Sequence, residues 1–594
     1  MDNHGADATM KAKNSRKAWK NVLSSTKKYR LPIIISIFLA IASAVVGLFT
    51  PKILGDMTNV AVDTYPDIDF NTIGGLAILA IVLFIVSGIL NYIQAYILAV
   101  VSAKYTRDLR KAIIEKISHL PISYFDKHKF GDTLSRMTND VDVLTTSMSQ
   151  EIADLSLSFT TLIGVMVMML TISVPLSLVA FIVVPLSIFV VGKIMKFAQK
   201  YFREQQNTLG VLNSKIEENY AGQIIIKANS YEDTARADFD KTNEKLTRAA
   251  TKAQIFSALS YPVTSIFTNL GYVAICILGG MFVIQGRINI GGIQAFIQYV
   301  SRFNRPITEI ASTTATIQSL LAAAERIFDF LDEPEEEPDH EKAQIVKKVR
   351  GEVEFHHIDF GYLKDTPVIK DFSVKVEPGM KVAIVGPTGA GKTTMINLLM
   401  RFYDPDSGYI TIDGVPTTEM KRADVRQMFG MVLQDTWLFS GTIEENLRYG
   451  RQDASLAEIK RAAKASNVHH IIESLPKGYN TTISEDSDNI SAGEKQLITI
   501  ARAMVANPPM MILDEATSNV DTRTEQLIQD SFEKLTSGRT SFVIAHRLST
   551  IRNSDLILVM KNGAIVEQGT HDSLLKANGF YAELYNSQFS DETE

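Results

Sequence analysis

A single cysteine, Cys276, stands in 594 residues. No intrachain disulfide can therefore staple the fold, and Cys276 reads as a small apolar filler inside a hydrophobic run. Charge of one sign is also missing: 60 Lys and Arg against 66 Asp and Glu leave a net of −6, which says little about partners. No dedicated anion or metal constellation points to a specific nutrient. No internal repeat of either half of the chain is visible, so the sequence reads as one half of something that must pair. A cleavable signal is not evident either. The first apolar run begins about thirty residues in, is long, and has no small-residue cleavage site, so it is expected to be a true span.

What the sequence has in quantity is apolar length. Runs cover 31–54, 73–103, 152–172, 176–195, 255–284 and, less purely, 288–327. Several exceed the ~20 residues that cross the hydrocarbon core, and six spans are expected. Arg16, Lys17, Lys20, Lys27, Lys28 and Arg30 precede the first run. Lys104, Arg107, Arg110 and Lys111 follow the second, and Lys193, Lys196, Lys200 and Arg203 follow the fourth. Asp63, Asp67 and Asp69 lie between the first two runs. The positive-inside bias then puts both termini in the cytoplasm. The spans exclude a soluble ATPase acting on nucleic acid.

The order along the chain follows. Residues 1–30 are a polar tail and an interfacial elbow helix, in which Trp19, Val22 and Leu23 mix with lysines; a plain cluster of flanking charges is the alternative. Residues 31–330 form the membrane part. Its stretches 104–150 and 196–254 carry apolar residues at helical spacing, Leu109, Ile113, Ile114 and Ile117 among them, and are expected to extend helices into the cytosol. Breaks near 121–126 and 221–227 mark turns at their far ends. Residues 331–350 are an acidic linker with Pro334 and Pro338, which cannot build a core. From 351 to 586 strand and helix patterns alternate, as in an α/β layer fold, and 587–594 is a tail. The fold class is thus a multidomain membrane protein: an all-α six-helix transmembrane domain with long cytoplasmic helical extensions, then an α/β P-loop ATPase domain.

The chemistry sits in that second part. Gly386-Pro387-Thr388-Gly389-Ala390-Gly391-Lys392-Thr393-Thr394 lies between the apolar run 382–385 and a helical pattern. Strand, glycine-rich turn and helix start is the context a P-loop requires. Gly386, Gly389 and Gly391 let backbone N–H groups curl around phosphate without a Cβ in the way, and the helix N-terminus adds its positive end. Lys392 would reach the β- and γ-phosphates, and Thr393 would present a hydroxyl to Mg²⁺. Downstream, Met510-Met511-Ile512-Leu513-Asp514-Glu515 is an apolar run ending in two acids. Asp514 would hold the Mg²⁺ shell, and Glu515 would take a proton from the attacking water or orient it. His546, after another apolar run, can bond a γ-phosphate or that water. Gln434 can sense Mg²⁺ or water beside a mobile segment, and Tyr362 can stack on a base.

These elements, in this order, resemble the ATP-binding cassette family over nearly the whole chain. Tyr362 looks like its aromatic A-loop, residues 386–394 its Walker A, Gln434 its Q-loop, and 510–515 its Walker B. Ser518 to Asp521 look like the D-loop, His546 the switch histidine, and Ile490-Ser491-Ala492-Gly493-Glu494 sits where the family has LSGGQ. The segments 125–133 and 217–227 match its two coupling helices. The resemblance implies ATP and Mg²⁺ as cofactors and catalysis by Glu515, His546 and Gln434. Nucleotide contacts come from Tyr362, Gly386, Thr388, Gly389, Gly391, Lys392, Thr393, Thr394 and Asp514, with Ser491, Gly493 and Asp521 serving across a cassette dimer. Thr393, Gln434 and Asp514 are the Mg²⁺ residues.

The signature departs from the pattern. Ala492 adds a methyl, and Glu494 puts an anion near polyphosphate if it points there. An altered signature beside an intact Glu515 resembles one subunit of a bacterial heterodimeric multidrug exporter, paired with a second half-transporter. The implied function is ATP-driven export of amphiphilic drugs or lipids from a lipid bilayer by alternating access. The alternatives are a homodimeric lipid flippase or a peptide exporter, although no leader-cleaving protease domain is visible, and then an ATP-gated channel or regulator. Asn269, Gln294, Gln298 and Asn304, with Phe296, Tyr299, Phe303 and Met166, Met168 and Met169, are the candidate cavity surface.

Overall fold

The computed structural model describes residues 14–128, 130–339, 343–346, 348–363, 366–434, 436–484, 490–514, 521–545 and 548–589. The chain divides into two compact units. The first is Met1–Leu120 with His128–Glu335, and the second is Pro121–Lys127 with Glu336–Glu594.

The first unit is built of helices, because a segment in lipid must satisfy every backbone group within itself. Among the described residues five helical stretches are long and apolar enough to cross a membrane: Lys27–Asp63, Phe70–His119, Phe130–Ile172, Val174–Ala221 and Glu232–Ile284. The sixth expected span lies in the 42-residue helix Ile290–Leu331, which does not qualify by composition; Arg302, Arg305 and Glu309 dilute its apolar character. A short helix, Ser15–Ser25, precedes the first stretch, and Asn14 caps it by accepting the Lys17 N–H at 3.1 Å. Its buried Ala18 and Val22 pack inward, and its Lys17 pairs with Asp329 at 3.1 Å.

The breaks follow local chemistry. Leu120 is extended, as the residue before Pro121 must be, and the short helix Ile122–Lys127 comes next. The long helix Val174–Ala221 ends at Gly222, and Gln223–Ala228 and Glu232–Ala258 follow. The core of the unit joins Leu48, Val165, Met169, Leu176, Phe296, Tyr299 and Phe303, all buried.

Among its described residues the second unit has three sheets: one of six strands, an antiparallel one of four, and the two-stranded pair Gly441–Thr442 and Thr482–Ile483. The six-stranded sheet runs, edge to edge, Ala564–Gly569, Leu556–Lys561, Lys381–Val385, Thr540–Ile544, Met510–Asp514 and Phe429–Val432. All its pairs are parallel except the first. Its interior strands read as continuous apolar runs, as strands covered on both faces do. The antiparallel sheet contains Val353–Phe360 and Ile369–Val376. Phe355 joins the two, meeting Phe372 and Phe542 edge-on at ring separations of 5.2 and 6.4 Å. In the parallel sheet one strand, Thr540–Ile544, separates Lys381–Val385 from Met510–Asp514. The C-terminal ends of these three strands are where a ligand of such a sheet binds.

Candidate nucleotide site

The strand Lys381–Val385 delivers the chain into the loop 386–391, and the helix Lys392–Leu399 starts directly after it. The loop needs its glycines. Gly389 and Gly391 hold φ of +82° and +98°, a region costly to side chains. A Cβ on Gly391 would lie 2.7 Å from Ile369 Cδ1, and one on Gly386 would lie 2.4 Å from the Met560 carbonyl oxygen. The helix begins with no side-chain cap on its first N–H groups, so those donors remain for an anion.

Lys392 folds back over the loop, and its Nζ donates to the carbonyls of Gly386 (2.7 Å) and Pro387 (3.1 Å). Burial pushes its pKa down, and the charge of Asp514, at the end of its strand, pulls the other way. A lysine held at a disadvantage to its own charge is one that phosphate oxygens would stabilise. Thr388 and Thr393 are exposed and Thr394 is buried.

Tyr362 lies beside the helix. Its hydroxyl donates to Thr394 Oγ1 at 3.3 Å and accepts from Asn397 Nδ2 at 3.2 Å. Its ring stands edge-on to Phe360 and Tyr403 at 5.1 and 5.0 Å and is 37% exposed, enough to offer a base one surface. Tyr403 in turn donates to the Asp126 carboxylate of the Ile122–Lys127 helix. Burial, then that carboxylate, raises the Tyr403 hydroxyl far above the usual tyrosine range.

Tyr362, the glycine loop, Lys392, Thr394 and Asp514 are thus gathered in one place. Gln434 is exposed just beyond the strand Phe429–Val432. Glu515, His546 and residues 518–520 lie outside the described residues. Ser491 and Gly493 open the helix Ala492–Ala506, and Asp521 caps Thr522–Thr536 by accepting the N–H groups of Arg523 (3.1 Å) and Thr524 (3.0 Å). Those bonds, the Thr524 one foremost, lower its carboxyl pKa. Neither Ser491 nor Asp521 bonds to the glycine loop among the described residues.

Glu494 does not point freely outward. Ser491 and Glu494 form a capping box, in which Glu494 Oε2 accepts the Ser491 N–H at 2.7 Å and its hydroxyl at 2.9 Å. The departure from a neutral amide at this position is therefore also a helix-start device, legible as S-x-x-E. Its carboxylate nevertheless sits one hydroxyl away from any phosphate that Ser491 would contact.

ATP binding fits this geometry, with a positive-φ glycine loop, uncapped helix donors, a half-buried lysine and an aromatic edge. A magnesium ion fits more loosely. Thr393 and Asp514 could hold it together with phosphate oxygens, and the described residues contain no cluster of three His, Cys, Asp or Glu that would hold a metal by itself.

The expected cavity surface in the membrane part needs correction. Phe296, Tyr299, Phe303 and Met169 are buried in the helical core and act as packing. Gln294 accepts from Thr58 of another helix, and Asn269 donates to Ser265 at 3.4 Å; the Asn304 side chain lies outside the described set. The sequence reading passed over the charged groups of the last helix: Arg302, Arg305 and Glu309. Three charges inside the sixth apolar run were the available signal.

The comparisons agree with the two-part layout. The family model of the ABC transporter transmembrane region matches residues 33–307, and that of the ABC transporter matches 369–518. A Mycobacterium bovis protein named as a fatty acid ABC transporter ATP-binding/permease protein is 47% identical over 517 residues, 87% of this chain and 82% of that protein. An ATP-dependent lipid A-core flippase of Syntrophus aciditrophicus is 36% identical, covering 89% of this chain and 88% of its own. A putative multidrug export ATP-binding/permease protein of Bacillus subtilis is 34% identical, covering 96% and 99%.

Proposed function

The chain belongs to the ABC transporter family, and from that premise we propose that it exports amphiphilic small molecules, drugs or lipids, across the cytoplasmic membrane by alternating access. It is an exporter-type membrane protein that dimerises and couples ATP hydrolysis to transport. The reading adds six spans, with Ile290–Leu331 as the sixth. Both termini and the ATPase domain are cytoplasmic, and the coupling segments lie near 125–133 and 217–227. It also places the ATPase within 351–586.

Lys392 and the uncapped N–H groups of its helix hold the β- and γ-phosphates. Tyr362 turns its ring to the base, exchanging its bond to Thr394 for the stack. Glu515 activates the water, and Gln434 and His546 orient it. Bound at Thr393, Asp514 and Gln434, Mg²⁺ would neutralise charge on the phosphates. Ser491 and Gly493 close over the triphosphate of a facing cassette, so ATP favours the closed dimer and hydrolysis removes that preference.

The single observation that carries the reading is the glycine loop with Lys392 and Asp514 on the same chain as five membrane-length helices. A heterodimer is the preferred assembly, because Glu494 keeps an anion at the signature Ser491. The test is the mass and ATPase rate of the purified chain in lipid nanodiscs beside Glu515→Gln. Hydrolysis that survives Glu515→Gln contradicts the catalytic assignment. A self-dimer with Glu515-dependent hydrolysis supports the ATPase reading and refutes the obligate heterodimer. An inactive chain rescued by a second half-transporter supports the heterodimer.

A further inference from the structure

The helix Arg30–Asp63 contains Pro51. Proline has no N–H, so the carbonyl four residues back, Gly47, loses its helical donor. The structure supplies a substitute from another helix: Arg302 Nη1 donates to Gly47 O at 3.0 Å. One residue along, Leu48 O accepts from Tyr299 Oη at 2.6 Å. Tyr299 and Arg302 are three apart and so share a face of Ile290–Leu331. They differ in one respect. Tyr299 is fully buried, while Arg302 is only half-buried.

A neutral donor would satisfy Gly47. Instead the site holds a guanidinium with five N–H groups, and its one hydrogen bond among the described residues goes to Gly47. Among the described residues it makes no ion pair. Glu309, two turns on, is engaged by Ser158 Oγ at 2.7 Å and Arg305 Nε at 2.7 Å. Asp56 acts electrostatically on Tyr299 and forms no ion pair with Arg302 among those residues. Gly47 is sixteen residues past the apolar boundary at Leu31, about 24 Å along a helix, within a hydrocarbon core of about 30 Å. That is nearer the far face than the midplane, yet an unpaired cation inside an apolar span still marks a functional site by default.

We propose that Arg302 is the anchor for the anionic headgroup, carboxylate or phosphate, of the exported amphiphile. The planar fork of a guanidinium matches both groups. The inference rests on the export reading above and narrows its substrate to anionic amphiphiles.

The test uses the assembled transporter in nanodiscs. Three probes of equal chain length are compared: a long-chain fatty acid, a single-chain phosphate ester and a long-chain quaternary amine. Native mass spectrometry reads retention, and ATPase stimulation reads response. The variants are Arg302→Gln, Arg302→Lys, and Arg302→Gln combined with Pro51→Ala, which returns an N–H to Gly47. Arg302→Gln is expected to weaken the anionic probes relative to the amine by about tenfold or more. Lysine should restore part of the loss, and Pro51→Ala none. Rescue by Pro51→Ala, or equal losses for both charges, would overturn the proposal and leave Arg302 a helix staple. Wild type answering only the amine overturns it while export stands. Wild type answering no probe, with Glu515-dependent hydrolysis intact, removes the amphiphile reading itself. The two acids, compared with each other, separate a carboxylate from a phosphate source.

Discussion

Glu494→Gln isolates the charge at the signature from its role in capping. In the capping box, Glu494 Oε2 is 2.9 Å from Ser491 Oγ. To hold a phosphate oxygen, Ser491 must turn its one hydroxyl proton from Glu494 to that oxygen, roughly 2.8 Å beyond it, so carboxylate and phosphate are at most about 5.7 Å apart. Each unit of phosphate charge then repels Glu494 by about 0.7 kcal/mol in a watery surrounding and about 3 kcal/mol at an effective dielectric of 20. Glutamine keeps the box, because its amide oxygen can accept the same N–H and hydroxyl. The expected result is tighter ATP at the site this signature completes, by roughly 3- to 100-fold. Thermal stability should change by less than about 1 kcal/mol, the difference between a charged and a neutral acceptor. Glu494→Ala also removes the charge but loses the cap, at about 0.5–2 kcal/mol of helix stability. The assay is the ATP dependence of hydrolysis in the assembled dimer, for both variants, beside a melting curve. A Glu494→Gln enzyme whose ATP dependence is unchanged or weaker would refute the electrostatic reasoning. The carboxylate would then be too well screened to matter, or the serine would not touch phosphate.

Gly391→Ala forces a side chain into φ +98° and against Ile369; strain of about 1–3 kcal/mol should weaken ATP by roughly 5- to 150-fold in a nucleotide titration while the membrane helices still fold. Tyr362→Leu should weaken ATP by about 1–3 kcal/mol, the worth of one base stack, whereas Tyr362→Phe should retain most of the affinity; equal losses would show that the hydroxyl, not the ring, matters. Tyr403→Phe and Asp126→Asn remove a hydrogen bond that ties the Ile122–Lys127 helix to the aromatic group around Tyr362. Both should bind ATP normally and lose amphiphile-stimulated hydrolysis, and undiminished stimulation in both would exclude that contact as a coupling element. His571 is buried, its Nδ1 lies 2.7 Å from Tyr581 Oη, and burial lowers its pKa. The folded state therefore resists its protonation, and stability should fall as pH drops below the ordinary histidine value of about 6.5, levelling off under the lowered folded pKa. His571→Gln should flatten that slope in acid unfolding, and an unaltered slope would count against it.

The parts of the molecule that the sequence disclosed are those where one local segment fixes both shape and chemistry. Residues 382–394 read correctly as strand, loop and helix start, because Gly389 and Gly391 must adopt positive φ and nothing distant is needed to say so. The breaks at Pro121 and Gly222 were legible for the same reason. Glu494 was half legible. As an anion near phosphate it looked like a defect, yet the same spacing from Ser491 is a capping box, and only the folded geometry shows that the two readings hold together. The membrane part was read least well, because apolar periodicity cannot tell which face is packed. Phe296, Tyr299, Phe303 and Met169 suit a binding surface by composition, and they are core because residues of four other helices pack with them. Arg302 inverts the error. Its charge made the sixth run look impure and nothing more, since its meaning depends on a proline about 250 residues earlier that strips a donor from Gly47. A proline alone predicts a kink, and an arginine alone predicts a cost. Juxtaposed, they leave a cation that makes one bond to the backbone among the described residues, with the rest of its fork for the anionic headgroup proposed above.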